Sequence, residues 1–445
     1  MNELPQDDGS STFEVSDRQY GVKHIRKRDG EAVAIGETYY KAPAPRARRS
    51  RMEQKMWLSD FEIVLRDRVI PRGAVRIEDG IIAEISKEPV AAADISGDGR
   101  LLLPGFIDMH GDMIEREIEP RPNVRFPLEL GIFELDKKLA GNGITTAYAA
   151  LSFHANSSYG HIRSEEHSRS IIQTLVELRK NDLLVDHRVH ARFEITFTHA
   201  RAVIEDLLRA GALDLVSLMD HTPGQGQYRD VERHIETIAR NNKITLEQAA
   251  QRVQQRMENR AQNNDAVDNL QGIAATARDH GVIIASHDDD SVEKVAIVEG
   301  LGAHISEFPV TMAAAQEARK FGLATAMGAP NALRGLSYSG NLSAREAYEN
   351  GVLDILASDY HPSAMLPAII ALAEAGPGGM PASVALVSAN PARALGLTDR
   401  GAIEIGLRAD LVIAERGRLP RVRATFSKGK QVYSDGIVLR FQQAA

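Results

Sequence analysis

Residues 101–112 read LLLPGFIDMHGD, an apolar run that ends in His110 and Asp112. Alternate residues of a strand share a side, so the two polar residues are expected to face one way. The run is the first of eight candidate strands: LLLPGFIDMH, ITTAYAALSF, VHARFEIT, LDLVSLMDH, VIIASHDD, AHISEFP, ATAMGAP and LDILASDY. Helical stretches such as EEHSRSIIQTLVELRKN and ARAVIEDLLRAG separate most of them. Repeated strand–helix alternation predicts an α/β fold with a parallel sheet and helices outside. Eight such units fit a closed (β/α)8 TIM-like barrel, which takes about 250 residues. The charged stretch from Tyr228 to Asp279 has helical spacing and predicts a helical insertion.

On both flanks the pattern changes. FEIVLRDRVI, GAVRIEDG and IIAEIS precede the barrel segment; GAIEIG, ADLVIAE and VRATFSKGKQVYSDG follow it. These are short strands punctuated by Gly and Asp turns, which read as β-hairpins. They predict a small β-sandwich domain formed from both termini. The expected divisions are a polar N-terminal extension at 1–55, the first part of the sandwich at 56–100, the barrel at 101–397 and the second part of the sandwich at 398–445. The extension includes APAPRARRSR at 42–51 and has little apolar periodicity, so it is expected to be a solvated or loosely docked tail.

Composition narrows the chemistry. The chain of 445 residues has no cysteine, which excludes disulfides, thiolate metal sites and cysteine nucleophiles. Any metal must be held by imidazole and carboxylate groups. A net charge of -8 argues against a nucleic-acid partner. No apolar run approaches the ~18 residues of a membrane span, and the first residues lack a basic region followed by an apolar core. A cytoplasmic protein is expected, acting without nucleic acid or membrane.

In a barrel of this type, function gathers where strands end at the C-terminal face. His110 and Asp112 close the first candidate strand, Glu194 lies in the third, His221 ends the fourth, His287 the fifth and Asp359 the last. His190 and Arg192 share the face of Glu194. A buried carboxylate is costly alone, and a bound cation compensates it. A lone strand-end His is usually a hydrogen-bonded structural residue, and a lone Asp after a strand is often a helix cap. The set as a whole is what points to a metal. Glu307, in ISEFP, is expected to support that set, with direct ligation the alternative; His154 and His361 lie near the expected mouth. Imidazole and carboxylate without thiolate suit zinc, manganese or iron.

LLLPGFIDMHGD resembles the first-strand signature of the amidohydrolase superfamily, and the terminal β-domain with its closing GLRADLVI is similar to that superfamily too. HGDMIEREIEPRPNVRFP, GITTAYAALSF, DHTPGQGQY, SHDDDS, ISEFPVT, MGAPNALRGLSYSGN and LASDYHPSAML resemble one branch, the diphosphatases of alpha-D-ribose 1-methylphosphonate 5-triphosphate in phosphonate breakdown. The likeness spans about residues 57–440. It implies one or two divalent ions, zinc foremost, held by His110, Asp112, Glu194, His221 and His287, with Glu194 bridging. It implies Asp359 as the general base for a metal-activated water that attacks the α-phosphorus and releases pyrophosphate. The superfamily places its two middle histidines on the fifth and sixth strands, whereas the candidate strands here carry His221 and His287 on the fourth and fifth. Further departures are Gly111, Tyr338 and His361.

A triphosphate needs several cationic or donor groups. Arg121 and Arg125 follow the first motif, His190 and Arg192 flank Glu194, and Asn331, Arg334, Ser337, Ser339 and Asn341 form a polar, Gly-punctuated segment suited to phosphate. Asp112 stands where most of the superfamily has a second His, which favours phosphoryl chemistry. The alternative is a C–N hydrolase, a deacetylase or cyclic amidase, on the same scaffold. A third possibility is a catalytically dead barrel acting as a binding module, which the complete ligand set disfavours. The expected partner is a small phosphorylated substrate, and the expected assembly a homo-oligomer.

Overall fold

The structure is a computed structural model. It describes residues 55–438 except 122–123, 154–163, 181–182, 198, 263–265 and 337–340, and the backbone of strands within 4–37. His154, Ser337, Tyr338, Ser339 and the arginines at 46–51 lie outside the described residues.

Residues 1–52 form one unit and residues 53–445 another. In the first, strands Leu4–Pro5, Ser11–Asp17, Gly21–Arg28 and Glu31–Glu37 pair antiparallel in sequence order. This differs from the expected tail. The reason is local: STFEVSD, GVKHIRKR and EAVAIGE alternate polar with apolar residues, and Asp29-Gly30 between two of them is a strong hairpin dipeptide.

In the second unit, eight strands run parallel in chain order: β1 (Phe106–Gly111), β2 (Ile144–Phe153), β3 (Asp186–Glu194), β4 (Leu215–Met219), β5 (Ile283–His287), β6 (Ile305–Glu307), β7 (Ala324–Gly328) and β8 (Ile355–Ala357). Each overlaps one of the eight predicted segments. The circle closes between β8 and β1: Asp112 N donates to Asp359 O at 3.0 Å, and Asp359 N donates to His110 O at 2.9 Å. Ile107, Met109, Tyr148, Leu215, Ala285, Ile305, Ala326, Ile355 and Ala357 fill the interior. The other strand faces pack on the surrounding helices in a larger cluster that includes Phe106, Leu151, Phe193 and Val216. The insertion between β4 and β5 is helical, over Val231–Asn242, Leu246–Gln262 and Ala266–Asp279.

The predicted first strand is two strands. Leu101–Pro104 pairs with Leu411–Glu415 and with Lys55–Val64, so it belongs to the terminal β-domain and not to the barrel. The break falls at Gly105, where an added Cβ would run into Thr145 Oγ1 and come within 2.9 Å of Asp410 Cβ. The terminal domain is one hydrogen-bonded sheet of eight strands contributed by both ends of this unit. Ile77 and Ile82 from one end of the sheet share an apolar cluster with Ala424 and Phe426 from the other, so the sheet wraps a core of its own. Among the described residues, no helix is long and apolar enough to cross a membrane.

Candidate metal centre

Strict alternation carries most of the polar set inward. His190, Arg192 and Glu194 share one face of β3, and Ile355 and Ala357 place Asp359 on the inner face beyond β8. On β1 alternation alone would fail, because Ile107 and Met109 already face inward and His110 would then face out. The pairing of β1 with β2 is irregular between Asp108 and Gly111. Such a bulge re-aims a side chain, and His110 lies with its ring 5.0 Å from His190 and 5.5 Å from His287. Asp108 pins this end of the barrel. Its carboxylate accepts from Ser358 N at 2.9 Å, from Ser358 Oγ and from His110 N at 3.3 Å. Asp288, Phe308 and Asp359, each just past a strand, have φ of 53°, 54° and 55°. Non-glycine residues held in this left-handed region cluster at functional sites.

Three imidazoles meet carboxylates here. His287 Nδ1 is 3.1 Å from Glu307 Oε2, and His110 Nδ1 is 3.4 Å from Glu307 Oε1. His221 Nδ1 is 2.9 Å from Glu194 Oε2, whose other oxygen accepts from Thr196 Oγ1 at 3.1 Å. Asp288 Oδ2 stands 3.6 Å from His221 Nε2 and 3.8 Å from His287 Nε2. Burial, then the Arg192 charge, lowers the His110 pKa to about 3, and the same two causes hold His287 well below its usual value. Burial pushes His190 down to about 3 as well. Burial also acts to lower His221, but Asp288 and Glu194 outweigh it and raise that pKa. Burial raises Glu307 to about 6; burial and then Asp112 raise Asp359 to about 7.

A cavity of about 630 Å³ opens above these groups. Of the residues singled out from the sequence, His110, Asp112, Arg192, His221, His287, Asn331, Arg334, Asn341 and Asp359 all line it. His190 does not: it is wholly buried beneath, 2.8 Å from Ser217 Oγ. Arg121 and Arg125 are exposed and absent from the lining, Arg125 pairing with Glu119 at 3.1 Å. His361 is exposed and bonded to Ser363. Glu194 stands behind His221. Asp288, Arg116 and Tyr228 line the cavity and were missed from sequence. Asp288 had a signal, since it directly follows His287. Arg116 had a weaker one, two residues after the start of a short helix, Ile114–Ile118.

These residues suit a divalent cation. Ligand atoms of His221, His287 and Asp288 lie within 4.8 Å of one another, as do those of His110, His287 and Glu307. Asp112 and Glu194 fall in neither group. Asp288 Oδ2 is a buried oxygen with no hydrogen-bond partner, an expensive state that a cation relieves. Imidazoles kept neutral by burial leave a ring nitrogen free to coordinate.

A (β/α)8 barrel with neutral imidazoles, carboxylates and a poised Asp at its strand ends defines a metal-dependent hydrolase. The comparisons narrow the class. The amidohydrolase family matches residues 101–432, and the chain belongs to that family. Alpha-D-ribose 1-methylphosphonate 5-triphosphate diphosphatase of Escherichia coli K12 is 35% identical over 369 residues, 81% of this chain and 95% of that protein. Among solved structures, dihydropyrimidinase from Brevibacillus agri aligns with a TM-score of 0.57 at 13% identity, covering 87% of this chain and 97% of that one. D-Hydantoinase from Bacillus sp. AR9 aligns with a TM-score of 0.56 at 13% identity, covering 87% and 100%. These two show the fold.

Proposed function

We propose that this hydrolase cleaves the triphosphate of alpha-D-ribose 1-methylphosphonate 5-triphosphate to the 5-phosphate and pyrophosphate, in phosphonate catabolism. The observation that carries the reading is the lining of the cavity: Arg116, Arg192 and Arg334 share it with the imidazole cluster and Asp359. Three guanidinium groups are a poor match for a neutral amide and a good one for a chain of phosphates. The similarity to the Escherichia coli diphosphatase along most of both chains supports the same substrate.

His221, His287 and Asp288 would hold the cation, with His110 and Asp112 beside them and Glu194 holding His221. Zinc, the metal proposed here, lowers the pKa of a bound water and polarises a phosphoryl oxygen when present. Asp359 takes the proton from the attacking water. A bond forms from the water oxygen to the α-phosphorus, the α–β anhydride bond breaks, and pyrophosphate leaves. Arg192 and Arg334 hold the phosphates and offset charge on the leaving group. A triphosphate does not cross a membrane unaided, which supports a cytoplasmic enzyme.

The test supplies the zinc-loaded protein with the triphosphate and, separately, with a panel of amides and cyclic amides. Stoichiometric pyrophosphate from the first and no amine or ammonia from the second is expected. Turnover of an amide with no pyrophosphate release would overturn the assignment.

A further inference from the structure

We propose that Glu307 is a positioning residue of the metal centre: it accepts the Nδ1 proton of His287, presents that ring to the cation through Nε2, and itself stays outside the coordination shell. This rests on the metal-centre reading above and assigns the ring nitrogens within it.

Glu307 ends β6 with no exposed surface. One oxygen is 3.1 Å from His287 Nδ1, and the other is 3.4 Å from His110 Nδ1. A carboxylate only accepts, so the imidazole proton sits on Nδ1. Arg192 bears independently on the same point from the other edge of the ring. Its Nη2 lies 3.1 Å from His287 Nε2, and a guanidinium only donates, so Nε2 is the bare nitrogen. Two contacts on opposite edges therefore select one tautomer. That bare Nε2 faces Asp288 Oδ2, which also faces His221 Nε2. A cation among these three atoms is separated from Glu307 by the His287 ring.

The rings of His110 and His287 are nearly parallel, at 21°. Glu307 bonds the Nδ1 edge of His287 and stands 3.4 Å from that of His110. The backbone secures the anchor, with Asp288 N donating to Glu307 O at 2.9 Å. Direct ligation by Glu307 is the competing geometry, because its oxygens also lie near both rings. It would require a bare His287 Nδ1 and a proton on His287 Nε2, directly opposing the Arg192 donor.

Carboxylates that hold a ligating imidazole this way typically contribute about 10–100-fold to metal affinity. The experiment uses zinc alone on the full-length protein. In the wild type, ring ¹⁵N shifts of the zinc-loaded chain are expected to show Nε2 coordination with protonated Nδ1 at His287. Coordination through Nδ1 at His287 overturns the proposal, and this needs no variant. In Glu307→Gln, zinc stoichiometry at saturation is expected to match the wild type, while the Kd in chelator competition rises 10-fold or more. Loss of a zinc equivalent at saturation would make Glu307 a ligand and overturn it, as would an unchanged Kd. If the wild type binds no zinc at all, the metal-centre reading fails with it.

Discussion

Asp359 sits between two opposed requirements. A general base must lose its proton near working pH yet hold it well enough to take one from water, and burial beside Asp112 brings its pKa to about 7. Asp359→Asn is expected to leave zinc content unchanged and reduce kcat by about 10²–10⁴-fold; full activity in a zinc-replete variant would remove Asp359 from that role. The same shift has a consequence for stability. Its folded pKa lies above the unfolded value of 3.8, so its contribution is fully present below pH 3.8 and is lost as pH rises through about 7. Three pKa units correspond to about 4 kcal/mol at most. Metal-free Asp359→Asn should therefore resist urea better than metal-free wild type at pH 8, and the gap should narrow as pH falls toward 4. A gap independent of pH would mean that Asp359 is not the titrating group. Arg334 ends the helix Ala329–Arg334 at the cavity rim. Arg334→Ala is expected to weaken inhibition by inorganic triphosphate about 10–100-fold, the size of a hydrogen bond to a charged group. Inhibition by a neutral cyclic amide should not change, and equal loss for both inhibitors would deny Arg334 a phosphate role.

At the scale of elements, the first strand pair decides how the centre is assembled. Leu101–Pro104 lies in the terminal sheet and β1 in the barrel, with only Gly105 between them. Gly105 N donates to Asp410 O at 2.7 Å, and Thr145 leaves no room for a side chain there. Gly105→Ala is expected to destabilise the protein by about 1–3 kcal/mol through overpacking, seen as a lower denaturation midpoint; an unchanged midpoint would show that the junction can relax. All eight barrel strands were legible because each is a short apolar run bounded by turns or helix. The bulge in β1 was not, since nothing in FIDMHG marks where alternation breaks. The two-residue rule predicted that His110 faces the mouth, and the side chain does so because the strand departs from that rule. Arg121 and Arg125 show the opposite case. They follow the motif closely in sequence, but a loop carries no periodicity, and theirs leads them to the surface.

For the whole molecule, the centre draws on every quarter of the barrel: β1, β3, the segment after β4, β5, β6 and the segment after β8. A cation held by groups so far apart in sequence binds the folded chain and not the unfolded one, so it stabilises by linkage. Removing metal with a chelator is expected to lower the unfolding temperature and restoring zinc to recover it, by about 2.7 kcal/mol at zinc 100-fold above Kd. Far-ultraviolet circular dichroism should stay constant, because the interior cluster contains none of the ligands. A midpoint indifferent to zinc would show that these groups do not hold it. At the opposite end of the barrel, Arg400 bonds Thr146 Oγ1 at 2.9 Å as well as Asp186, tying the C-terminal segment to β2 and β3 independently of metal.

The sequence by itself determined the barrel, its eight strands and the β-domain built from both ends of the catalytic unit, because hydrophobic periodicity and turn chemistry are local properties. It also determined that His110, His221, His287 and Asp359 end strands at one face. Only the tertiary structure decided which polar atoms meet. Asp288 joined the cluster through the left-handed turn after β5, Glu307 came to lie between two imidazoles, and His190 sank beneath the site. The physical reason is that a metal centre depends on angles and separations of a few ångströms between distant strands. Those are fixed by barrel closure and by the bulge beside His110, the residue at which the first strand of the barrel departs from its own alternation.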